Sequence, residues 1–116
     1  VTLTGNNWQM FPISYTLTEN SVLELELQVE GRPEVVGIGF ETDTNLNSSR
    51  VIKFHGTQAW GVRAEDYYNA SSGVITFPIG KYIKGKVNYL LLVLDNDDIE
   101  SWRNRDRMII KNITLR

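Results

Sequence analysis

Val22-Leu23-Glu24-Leu25-Glu26-Leu27-Gln28-Val29-Glu30 sets apolar side chains at 23, 25, 27 and 29 and polar ones between them. A strict period of two over this length predicts a half-buried β-strand, with Leu and Val turned inward and the acidic face in water. The 100° step of a helix would instead spread those acids around its axis. Gly31-Arg32-Pro33 then reads as a turn, and Val35 to Phe40 as a second strand in which Gly37 and Gly39 permit close backbone approach or a bulge. The two strands are expected to form a hairpin.

Working outward, further strands are predicted at Ser14 to Thr18, Val51 to His55, Trp60 to Arg63, Gly73 to Phe77, Val87 to Asp95 and Met108 to Leu115. The polar stretches Thr44 to Ser49, Asn69 to Gly73 and Asp95 to Asp106 separate them. Sustained helical periodicity with a cap at each end is missing, and at most one helical turn is expected, at Gly80 to Tyr82. Short strands at this spacing predict an all-β fold, an antiparallel β-sandwich of jelly-roll type. With no internal repeat or linker, residues 1–116 are read as a single domain.

The 116 residues carry 12 basic and 14 acidic side chains and are 41% hydrophobic, which suits a folded globular chain and not a disordered one. The longest apolar run, Tyr89 to Leu94, is far below the roughly 20 residues a membrane helix needs, so no membrane partner is expected. A net charge of -2 argues against nucleic acid as a partner. Val1 opens no signal-peptide pattern and reads as the start of a mature or excised domain. Cysteine is absent and His55 is the single histidine, which lowers the prospect of a thiol nucleophile, a serine triad or a zinc site.

Three ordered stretches carry a resemblance: Gly37-Ile38-Gly39-Phe40-Glu41-Thr42-Asp43, Gly56-Thr57-Gln58-Ala59-Trp60-Gly61, and Phe77-Pro78-Ile79-Gly80-Lys81-Tyr82 with Asn88-Tyr89-Leu90 and Asp95-Asn96-Asp97-Asp98 behind it. Over about residues 3 to 115 the chain resembles the non-catalytic β-sandwich carbohydrate-binding modules of secreted, often marine, bacterial enzymes that degrade polysaccharides. The resemblance implies an extracellular module that binds a polysaccharide ligand on behalf of an attached catalytic domain. Two departures stand out. Glu41 occupies a position where the family pattern has aspartate, and the stretch from Ile99 to Asp106 is unusually basic and contains Trp102.

Sugar recognition needs flat aromatic faces for C–H packing and planar polar groups for hydroxyls. Candidate aromatics in polar loops are Tyr67, Tyr68 and Trp102, with Trp60 at a strand start; Gln58, Arg63, Asp66, Asn69, Arg103 and Asn104 supply polar neighbours. The competing reading puts Trp60 and one of the tyrosines in the core, and Trp8 at a sheet edge. Calcium takes six to eight oxygens, and Glu41, Asp43, Asp95, Asp97 and Asp98 are the candidate ligands. If every connection reverses direction, the strands ending at Glu41, Arg63 and Asp95 deliver their loops to one rim, with the Gly56 to Gly61 turn at the opposite end. A jelly roll can instead offer a concave sheet face, and then His55, Gln58 and Trp60 are the better candidates. Lys81, Lys84, Arg103 and Arg105 suit carboxylate or sulfate groups on a ligand, and equally an ordinary surface.

Two other functions share these residues. A structural or adhesion module has the same fold and no sugar affinity. A small glycosidase or lyase would use paired carboxylates, or His55 beside Lys53 and Tyr67, but a general acid needs a pocket that raises its pKa, and a sandwich this small has little depth for one. The expected function is therefore non-catalytic.

Overall fold

The computed structural model describes residues 1–96 and 105–116. Its strands are β1 (Thr2–Thr4), β2 (Asn7–Leu17), β3 (Leu23–Glu30), β4 (Val35–Glu41), β5 (Val51–His55), β6 (Val62–Arg63), β7 (Val74–Phe77), β8 (Gly85–Asp95) and β9 (Arg107–Leu115). One sheet has the order β1-β9-β3-β7 and the other β2-β8-β4-β5-β6. Neighbours are antiparallel except β5 and β6, which run parallel. Single 3-10 turns occupy Ser48–Arg50, Glu65–Tyr67 and Ile79–Lys81, the last close to the helical turn the sequence predicts.

The two sheets pack as a β-sandwich. Leu23, Leu25 and Leu27 of β3 enter the core as their alternation requires, beside Ile75 and Phe77 of β7 and Met108 and Ile110 of β9. Val36, Ile38 and Phe40 of β4, Ile52 and Phe54 of β5, and Leu92 and Leu94 of β8 face them from the other sheet.

The expected hairpin of β3 and β4 does not form. β3 lies between β9 and β7, and β4 between β8 and β5, so Gly31-Arg32-Pro33 carries the chain from one sheet to the other. Gly31 takes φ +87° with its α-carbon against Asp106, where a Cβ would stand 2.2 Å from Oδ1. The N-terminal strands also begin earlier than the sequence pattern predicts. β2 starts at Asn7 and is irregular between Pro12 and Tyr15, tolerable because it is an edge strand that pairs only with β8.

The outer faces of the two sheets differ in chemistry. On the four-stranded sheet Glu24, Glu26 and Glu30 of β3 meet Arg116, Asn112 and Arg107. The outer face of the five-stranded sheet has an apolar centre: Val35, Val51, Leu91 and Val93 form a second buried cluster, with Trp8, Met10 and Trp60 packed against it. Gly37 and Gly39 add no side chain there, and β4 is buried along its whole length. A central sandwich strand covered on both faces requires something to lie over the outer one.

Candidate functional site

The cover at one end of that outer face is the segment between β5 and β6. Gly56 takes φ +134°, and a Cβ there would fall 2.1 Å from the Glu34 carbonyl oxygen, so the segment can press against the β3–β4 turn only with glycine at this position. The Thr57 and Gln58 amides donate to the Pro33 and Glu34 carbonyls at 3.3 and 2.9 Å. This anchoring lays Trp60 on the apolar cluster, edge to face with Trp8 at a centroid separation of 5.6 Å. The Trp8 indole N–H donates to Asp95 Oδ1 at 3.3 Å.

Beside Trp60 is a cleft of about 350 Å³ bounded by Lys53, Arg63, Glu65 and the backbone around Gly56 and Gly61. The parallel pairing of β6 with β5 sets Arg63 level with Lys53, and the 3-10 turn that follows brings in Glu65. Lys53 is only 4% exposed, and its Nζ lies 2.7 Å from Glu65 Oε1. The hydrogen bond from Lys53, strengthened by the charges of Lys53, Arg63 and His55, outweighs burial and holds the Glu65 carboxyl below its ordinary pKa. Arg63 forks onto Asp66, with Nη1–Oδ2 at 3.2 Å and Nη2–Oδ1 at 3.5 Å. The result is an aromatic wall beside an ion pair, able to pack C–H groups on one side and to exchange hydrogen bonds on the other.

Of the residues singled out from sequence, Trp60 and Arg63 come together in this cleft, and Gln58 lies in the same connecting segment. Tyr67 stands apart, 40% exposed and edge-on to the buried Phe77 at 4.8 Å. The Tyr68 hydroxyl accepts from the Val29 amide at 3.2 Å, and its ring meets His55 at 5.7 Å, which makes it a brace between sheets. Trp102 and Arg103 lie outside the described residues. Lys53, Glu65 and Trp8 were not singled out as ligand contacts; a lysine inside Val51-Ile52-Lys53-Phe54 is the signal that marks the first of them.

The single rim of three loops does not form: β6 and β8 both run antiparallel to β4, so the strands ending at Arg63 and Asp95 point the same way and the strand ending at Glu41 points the other. β4 and β8 are antiparallel neighbours with Val35 opposite Asp95 and Glu41 opposite Tyr89, so Glu41 and Asp95 sit at opposite ends of the sheet, about 20 Å apart along the strand. The connection from β5 to β6 does not reverse direction, which breaks the expected strand parity: the segment starts at the Asp95 end, with Gly56 against Glu34, and runs back along the sheet to Gly61 beside Val51.

The calcium candidates are split in the same way. Glu41 is buried and accepts from the Asn47 amide at 2.8 Å, with Arg50 Nε 3.6 Å away; Asp43 accepts from the Asn45 amide at 2.9 Å. Asp95 is at the far end, and Asp97 and Asp98 lie outside the described residues. Among the described residues no group of three or more His, Asp or Glu side chains is placed to hold a metal ion.

A second cleft, of about 320 Å³, opens between Ile13, Tyr15, Leu90 and Ile113 and is mainly apolar. It lacks the charged groups that converge beside Trp60. The chain matches none of the protein-family models, curated proteins or solved structures with which it was compared.

Proposed function

We propose that this chain is a non-catalytic carbohydrate-binding module, holding a polysaccharide outside the cell on the outer face of its five-stranded sheet for the benefit of an attached enzyme. The observation that carries the reading is the cleft in which Trp60 stands against the Lys53–Glu65 ion pair with Arg63 beside it. An indole wall suits the C–H face of a pyranose, and the flanking donors and acceptors suit its hydroxyls.

A jelly roll is the architecture inferred for the module. Without the two-residue β6, the strand orders reduce to first-eighth-third-sixth and second-seventh-fourth-fifth, the order produced by winding two Greek keys into facing sheets. The non-catalytic part of the proposal draws support from Glu65. A glycosidase acid needs its pKa raised, and the carboxylate in this cleft is held low by an ammonium group.

Affinity electrophoresis over neutral and acidic algal and plant polysaccharides tests the proposal. Retardation by at least one of them, abolished in Trp60→Ala, is the expected result. Retardation by none leaves the structural or adhesion module, and release of reducing ends or unsaturated uronates by the pure protein means an enzyme.

A further inference from the structure

We infer that the cleft beside Trp60 accepts an uncharged sugar residue and discriminates against uronate and sulfated ones, an inference that rests on the carbohydrate reading above. Among the described residues, the cations that line the cleft are already matched. Lys53 is held by Glu65 at 2.7 Å and Arg63 by Asp66 at 3.2 and 3.5 Å, two positive charges against two negative ones. Lys53 is nearly buried while the Arg63 and Asp66 side chains are 67% and 81% exposed, so the inner ion pair is the one a ligand meets in a low-dielectric setting.

An anionic ligand group entering this cleft has to compete with Glu65 for Lys53. Displacing Glu65 strands a carboxylate beside the incoming anion, and leaving it in place sets two like charges against one ammonium. A hydroxyl escapes both costs because it donates and accepts at once. Neighbouring hydroxyls of a neutral sugar can give a hydrogen bond to the Glu65 carboxylate and take one from Lys53 or Arg63 while the ion pair stays intact. Asp95, which accepts from the Trp8 indole, adds a further carboxylate beside the aromatic pair, and the chain as a whole is acidic.

The test compares matched neutral and anionic polysaccharides, for example galactan with sulfated galactan and glucomannan with alginate, at about 20 and about 500 mM salt, where screening of exposed charges differs strongly. The expected result is retardation by a neutral polymer, weaker or absent retardation by its anionic counterpart, and little response to salt. Glu65→Gln frees the Lys53 charge and should weaken neutral binding while adding salt-sensitive binding of the anionic polymer. Asp66→Asn does the same for Arg63 from an exposed position that carries little folding risk, so it gives the answer even where Glu65→Gln folds poorly. Tighter, salt-sensitive binding of the anionic polymers by the unaltered protein overturns this inference and leaves the carbohydrate reading standing. Binding of neither class overturns both.

Discussion

Asn96 Nδ2 donates a 2.6 Å hydrogen bond to Asp106 Oδ2, and this buried pair joins three of the places where the chain crosses between sheets, those between β1 and β2, β3 and β4, and β8 and β9. The other Asp106 oxygen accepts from the Arg32 amide at 2.8 Å in the β3–β4 turn, and its carbonyl accepts from Gly5 between β1 and β2. The Asn96 amide in turn donates to Asn6 Oδ1 at 3.1 Å. Asp106→Asn sets an amide donor against the Asn96 donor, and leaving a buried donor unpaired costs about 1 to 3 kcal/mol. A urea unfolding midpoint well below that of the unaltered protein is expected; an unchanged midpoint contradicts the role of the pair.

The same end of the molecule presents Trp60, and Gly56 is the residue that lets it do so. Gly56→Ala puts a methyl group into the Glu34 carbonyl and forces a φ that alanine rarely adopts. Since the strain falls on a connecting segment, the core strands should hold their circular dichroism spectrum while polysaccharide affinity falls. Retained affinity would show that the placement of Trp60 does not depend on this turn.

Two glutamates should give stability opposite responses to pH. Burial, opposed by the Asn47 amide and Arg50 and aided by Asp43, raises the Glu41 carboxyl above its ordinary value of 4.5. The folded state therefore binds the proton more tightly than the unfolded chain, and stability is lost as pH rises from about 4.5 through the raised value. Glu65 is lowered by Lys53, so its contribution is present above about 4.5 and lost as pH falls through the lowered value. In urea titrations the midpoint of Glu41→Gln should gain on the unaltered protein as pH rises toward neutrality. Any advantage of the unaltered protein over Glu65→Gln should shrink in acid. Parallel pH profiles for all three proteins contradict this assignment.

The alternation at Val22 to Glu30 made β3 and its inward face legible in the sequence, because a strand with one wet face must show a period of two. The runs Val35-Val36-Gly37-Ile38-Gly39-Phe40 and Leu90-Leu91-Leu92-Val93-Leu94 show no such alternation, and they are the strands covered on both sides. That continuity was the available signal for a covered outer face. Trp60 and Arg63, singled out from the sequence, do come together at one cleft, but Lys53 beside them reads as one charge in an apolar strand and Glu65 as one acid among several. The parallel step from β5 to β6 has no local signature, and strand direction depended on it.

The central claim, that sugar is held at Trp60 on the sheet face and not at the isolated Tyr67, is tested most directly by isothermal titration of Trp60→Ala and Tyr67→Ala with a polysaccharide that retards the unaltered protein, each variant first shown to melt cooperatively. Trp60→Ala should lose roughly 1 to 3 kcal/mol of binding free energy, the scale of one aromatic contact, while Tyr67→Ala keeps full affinity. Full affinity in folded Trp60→Ala with the loss in Tyr67→Ala instead would contradict the account.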